Sequence, residues 1–126
     1  MHENEISEII LDVAFNIHQE LGPGLFESVY ESVFVHELRD VYGFKVERQS
    51  PIPLIWNGIN MGIAFKADLI VEEKVIVELK SVETVMDIHR KQLLTYLKIT
   101  DLKLGLLINF NESLLKNGIK RIVNNL

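Results

Sequence analysis

The chain has 126 residues, no cysteine, 48% hydrophobic and 25% charged residues, and a formal net charge of −5. That composition excludes a disordered chain, because there is enough apolar surface to offset chain entropy. It also excludes disulfides, thiolate metal sites and cysteine nucleophiles. The length fits one domain, so residues 1–126 are expected to fold as a single unit with one real core.

Helical spacing of Ile6, Ile10, Val13, Ile17 and Leu21 predicts a first helix from about Glu5 to Glu20, stopped by Leu21-Gly22-Pro23-Gly24. A second helix is expected from about Phe26 to Val41, with Val29/Tyr30, Phe34 and Leu38 facing inward and Gly43 ending it. Phe44–Gln49 then alternates as a half-buried strand does, and Pro51 and Pro53 flank another extended piece, Ile52–Trp56. Asn57-Gly58 signals a hairpin turn. Ile59–Val71 and Val75–Lys80 read as strands joined by Glu72-Glu73-Lys74.

A third helix is predicted from about Val85 to Lys98, with Thr84 as a cap and Asp87 three positions on. Leu102–Asn109 is a short apolar run expected to form a buried strand. The tail Leu114–Val123 is expected to form a short closing helix. The order ααββββαβα describes a mixed-sheet α/β domain.

The N-terminal stretch is acidic and amphipathic, unlike a signal peptide. No apolar run approaches the roughly 18 residues that a membrane helix needs. With no cysteine, these features set the expectation of a cytoplasmic protein without a membrane partner. The acidic balance counts against tight nucleic-acid binding by the free chain, although bound divalent cations would neutralise part of a site.

The informative chemistry is Asp68 followed by Glu78-Leu79-Lys80. Glu78 and Lys80 lie two apart on one strand and share a face, while Val75, Val77 and Leu79 take the other. If Val71 pairs with Val75, Asp68 falls opposite Glu78, with Cβ atoms roughly 4.5–5.5 Å apart. Two carboxylates so close repel unless a cation or proton lies between them. Such hard oxygen ligands suit Mg²⁺ or Mn²⁺. Lys80 is then placed to orient a water or to stabilise charge building on a phosphate. A one-residue slip would send Asp68 to the other face, and the same three residues also describe a solvated sheet surface with a weak ion pair.

On the third helix His89, Gln92 and Tyr96 share one stripe. Glu27 opens the second helix, where a favourable charge–dipole placement is the simpler reading. His2, His18 and His36 read as surface groups, Phe44 and Trp56 as packing, and Lys116, Lys120 and Arg121 as a solvated basic cluster.

Together these residues resemble the GxxExxY proteins, whose named positions match Gly24, Glu27 and Tyr30 in Leu21-Gly22-Pro23-Gly24-Leu25-Phe26-Glu27-Ser28-Val29-Tyr30. The likeness continues through Glu47-Arg48-Gln49, Phe65-Lys66-Ala67-Asp68, Val77-Glu78-Leu79-Lys80-Ser81-Val82, Gln92–Leu97 and Leu104–Phe110, and so spans nearly the whole chain. That family is placed in the PD-(D/E)XK nuclease superfamily. The resemblance implies a restriction-endonuclease-like mixed sheet flanked by helices. It implies Asp68 and Glu78 as ligands of Mg²⁺ or Mn²⁺ and Lys80 as the catalytic lysine. It adds Glu27 as the helical acid, and Gln92 and Tyr96 as the QxxxY element of RecB-like nucleases. Ala67 replaces the proline of the motif.

The activity implied is hydrolysis of phosphodiester bonds in DNA or RNA, with a homodimer or a protein partner helping to grip the substrate. A catalytically silent nuclease-fold module for protein or nucleic-acid binding is the alternative. Hydrolysis of small phosphate esters would use the same residues.

Overall fold

The computed structural model describes all residues, 1–126. Helix α1 (Glu3–Leu21) begins in a capping box, in which the His2 ring accepts from Asn4 N–H and Glu5 reaches back to the His2 N–H. After the turn at Gly22–Phe26 comes α2 (Glu27–His36), continued by a π-helical turn, Glu37–Val41. Gly24 sits at φ +97° in that turn, a conformation that L side chains rarely adopt.

Three strands follow: β1 (Val46–Trp56), β2 (Ile59–Val71) and β3 (Val75–Lys80). Then come α3 (Asp87–Thr100), β4 (Leu104–Asn109), a 3₁₀ turn at Leu115–Gly118, and β5 (Ile119–Val123). The sheet order is β1-β2-β3-β4-β5, with β3 and β4 parallel and every other pair antiparallel. The parallel pair needs a crossover, and α3 supplies it.

Helices cover both faces. Side chains of α1 and α2 form one buried cluster with Leu69, Val71, Val77, Leu79, Leu106 and Ile108. Leu93, Tyr96 and Leu97 of α3 form the other with Ile52, Ile70, Ile76 and Leu107. On β3 and β4 the alternation is clear, since odd positions of β3 face α1 and α2 while Ile76 faces α3. Gly105 lets α3 approach, because a Cβ there would lie 2.9 Å from Leu93 Cγ. The result is a restriction-endonuclease-like α/β architecture, a mixed sheet between helical layers.

Three local expectations change. Val46–Gln49, from the stretch expected at Phe44–Gln49, and Ile52–Trp56 belong to one strand, β1, despite Pro51 and Pro53, while Phe44 and Lys45 precede it. Because β1 is at the sheet edge, its outward side has no ladder to lose. The tail is a strand rather than a helix: Ile119–Val123 pairs with Leu104–Ile108, and that pairing outweighs the helical spacing of its apolar residues. The order is therefore ααβββαββ. Helix α3 starts at Asp87, with Met86 rather than Thr84 in the cap position. The ring Nδ1 of His89 accepts the Met86 N–H at 3.1 Å, so His89 closes the helix end.

Candidate active site at the fork of strands β2 and β3

The β2–β3 ladder pairs Val71 with Val75, Ile70 with Ile76 and Leu69 with Val77, and then stops. The next opposed residues are Asp68 and Glu78. Where the ladder ends, their side chains take over. Asp68 Oδ2 accepts the Leu79 N–H at 2.9 Å, and the Asp68 N–H points to Glu78 Oε1 at 3.4 Å. Glu78 is 8% exposed. Burial pushes its carboxyl up to about 9, helped by the Asp68 charge and by its hydrogen bond with Asp68, while Lys80 opposes the shift. At neutral pH the pair therefore holds a proton where a cation would otherwise satisfy it.

Lys80 stands at the end of β3, half-buried, and forms no ion pair. Its backbone is fixed from several sides. Its carbonyl accepts the Phe110 N–H at 2.9 Å. The fully buried Asn109, its partner on β4, holds the following segment by donating to Val82 O at 2.9 Å and accepting from Val82 N–H at 3.1 Å. Ser81 Oγ donates to Leu25 O at 2.6 Å, which ties this segment to the turn before α2.

A family model of the PD-(D/E)XK nuclease superfamily matches residues 4–122. The chain belongs to that superfamily. Asp68 and Glu78-Leu79-Lys80 read as the D and ExK of the PD-(D/E)XK name, with Ala67 in the proline position. No curated protein and no solved structure matches the chain.

Around this PD-(D/E)XK core, the remaining expected residues are placed unequally. Glu27 is exposed on the first turn of α2. It lines a cleft of about 160 Å³ together with Ser28, Glu31, Gln49, Asp68 and Leu79. The α2 carboxylate that is wired to the acids is Glu31, one turn further on. Glu31 is buried, accepts Arg48 Nε at 3.0 Å and accepts Gln49 Nε2 at 2.6 Å. Gln49 Nε2 also lies 3.3 Å from Asp68 Oδ1, so the amide bridges the helical acid to the strand acid.

Sequence reasoning missed both Glu31 and Gln49. Glu31 lies one turn from Glu27, and Gln49 lies within the Glu47-Arg48-Gln49 stretch already singled out, but neither carried a chemical signal alone. Gln49 has φ +49° within a strand, a costly conformation for a residue with a side chain and a feature that clusters at functional sites.

Tyr96 approaches from the α3 side. Its phenol is nearly buried and its pKa is raised, first by burial and then by the charges of Glu78 and Asp68, so it stays protonated and available as a donor. Gln92, one turn earlier, is exposed. Tyr30 serves the scaffold: its OH donates to Gly22 O at 2.6 Å and accepts Leu25 N–H at 3.2 Å, and its ring stacks on Phe110 at 4.3 Å.

No group of three His, Cys, Asp or Glu side chains gathers at ligating geometry. No helix is long and apolar enough to cross a membrane.

Proposed function

We propose that this chain, residues 1–126 as one unit, is a divalent-cation-dependent nuclease of the GxxExxY group acting on DNA or RNA in the cytoplasm. Asp68 and Glu78 hold Mg²⁺ or Mn²⁺. The observation that carries this reading is the meeting of two acids at the fork, with Glu78 Oε1 against the Asp68 N–H and Asp68 Oδ2 against the Leu79 N–H, on the strand that ends in a lysine with no ion-pair partner. Such a pair is costly without a positive charge between its members. The cation would supply Lewis-acid polarisation of the scissile phosphate and lower the pKa of a water.

The side chains supply the rest. The Lys80 ammonium donates to the phosphate oxygens as negative charge builds there. The protonated Tyr96 donates toward the acids and keeps the α3 side of the fork dry. Glu27, at the cleft mouth, orients the attacking water, and Gln92 holds a phosphate oxygen by its amide. Glu31 and Gln49 position Asp68. Water adds to phosphorus and releases a proton to solvent, the bond to the leaving sugar oxygen breaks, and that oxygen takes up a proton from solvent.

The test is cleavage of single- and double-stranded DNA and RNA with Mg²⁺ or Mn²⁺. Activity that falls at least about 100-fold in both Asp68→Asn and Lys80→Ala supports the assignment, since removing one such electrostatic group typically costs that much. Absence of cleavage across the whole panel overturns it.

The second reading, a silent nuclease-fold module, draws on one specific observation. Both Asp68 oxygens already accept hydrogen bonds within the protein, from Gln49 and from Leu79. Calorimetric titration with Mn²⁺ separates the two, because the silent module takes up no ion at Asp68.

A further inference from the structure

The β1–β2 hairpin runs well past the body of the sheet. Beyond Leu69 no pairing joins β2 to β3, while pairing with β1 continues to Trp56–Ile59. The outer ribbon is thus two strands closed by Asn57-Gly58, and a lone two-stranded ribbon is marginally stable in water. Ile52 and Phe65 at its base pack on the α3 side. Past them, Ile55, Trp56, Ile59, Met61 and Ile63 are all between 48 and 65% exposed. Trp56 pairs with Ile59 across the ribbon while Ile55, next to Trp56, points to the other face, so apolar side chains are exposed on both faces of the arm, and apolar exposure gathered on one element marks an interaction surface.

We propose that this hairpin arm is a dimerisation surface, and that its occupant is the same arm of a second copy of this chain. The charge pattern selects that occupant. The chain carries a net charge of −5, yet no Asp, Glu, Lys, Arg or His lies between Arg48 and Lys66. Two like-charged copies repel over most of their surface, and the arm is a stretch where they meet without that cost. The same absence of cations leaves a nucleic-acid backbone or an anionic membrane nothing to pair with.

The area also suits a dimer. Five large side chains about half exposed present roughly 500–600 Å² per copy over the two faces of the ribbon, so a pair of arms that wrap each other, with the turn and flanking backbone, comes near the roughly 1,200 Å² at which specific interfaces begin. Isologous two-fold contacts need only one self-complementary patch, and an uncharged apolar ribbon provides it. This inference does not depend on the nuclease reading: Asp68→Asn should dimerise like the wild type.

Trp56 is the sole tryptophan, so its emission reports directly on the arm. Sedimentation equilibrium of the full chain should give twice the 14.5 kDa chain mass, and Trp56 emission should shift red on dilution as the arms separate. Ile59→Lys should sediment as a monomer with solvent-exposed Trp56 emission at every concentration. Met61→Asp serves as a second charged variant, and circular dichroism confirms that the variants fold. Should neither fold, wild-type mass and emission on dilution still decide the matter. The proposal is overturned by a wild type that stays monomeric at all concentrations, or by a dimer whose Trp56 emission ignores dilution. It is equally overturned if Trp56 shifts only on adding phosphatidylcholine vesicles or nucleic acid.

Discussion

Replacing Glu78 by Gln should make the stability of the metal-free protein less dependent on pH, and should stabilise it in alkali. Glu78 titrates near 4.5 as an ordinary side chain and near 9 in the folded protein. Between those values the folded state holds one more proton than the unfolded state, so stability falls as pH rises, by about 1.4 kcal/mol per pH unit. From pH 6.5 to pH 8.5 the wild type should lose on the order of 2–3 kcal/mol from this group. Glu78→Gln keeps the shape and carries no charge, so this loss should vanish. The assay is urea denaturation of both proteins at the two pH values, comparing midpoints at constant m-value. Mn²⁺ should oppose the wild-type loss, because cation binding favours the ionised carboxylate and releases the proton. Wild type and Glu78→Gln losing stability equally over this range would refute the reasoning, and would mean that Glu78 is already ionised in its fork.

Two further outcomes follow from packing and from the acid network. Gly105→Ala should destabilise the protein by about 1–3 kcal/mol, since the new methyl meets the Leu93 side chain in a closed core; thermal denaturation measures it. Glu31→Ala should cost on the order of 1 kcal/mol in stability, because Arg48 Nε loses its acceptor and Gln49 keeps only the longer contact to Asp68. It should also weaken Mn²⁺ binding by calorimetry, whereas Glu27→Ala, exposed in the first turn of the same helix, should cost only the charge–dipole contribution of about 0.3–1 kcal/mol.

The residues at the fork were legible to the extent that local rules decide them. Glu72-Glu73-Lys74 between two alternating runs set the hairpin register, and Val71 does pair with Val75. That single pairing carries Asp68 to Glu78. What local rules leave open is decided by partners distant in sequence. Glu27 and Glu31 lie one turn apart on α2, and the choice between them is made by Arg48 and Gln49 on β1. Nor does composition announce that Gln49 adopts φ +49°. The tail shows the same thing at larger scale. Ile119-Lys120-Arg121-Ile122-Val123 has apolar spacing compatible with a helix, but the open edge of β4 offers a ladder, and the ladder decides. Pro51 and Pro53 looked like a break between strands because a central strand would not tolerate them; an edge strand does.

The fork itself leads to the sharpest test of Asp68. Where β2 leaves β3, backbone groups lose their ladder partners and must find others. Leu79 N–H finds Asp68 Oδ2, so Asp68 has a backbone-capping role as well as the proposed ligand role. Asp68→Ala removes both, and by leaving a partly buried amide unpaired it should cost about 1–3 kcal/mol in stability. Asp68→Asn keeps an acceptor for Leu79 N–H and gives up only the longer, 3.3 Å contact from Gln49, so its urea midpoint should stay clearly above that of Asp68→Ala. Its Mn²⁺ binding should nevertheless be lost, because a neutral amide replaces the carboxylate. The two substitutions thus separate holding the fork from holding the cation. Asp68→Asn as unstable as Asp68→Ala would show that the charge itself, rather than the hydrogen bond, maintains the gap between the strands; Asp68→Asn with wild-type Mn²⁺ affinity would remove Asp68 from the metal site.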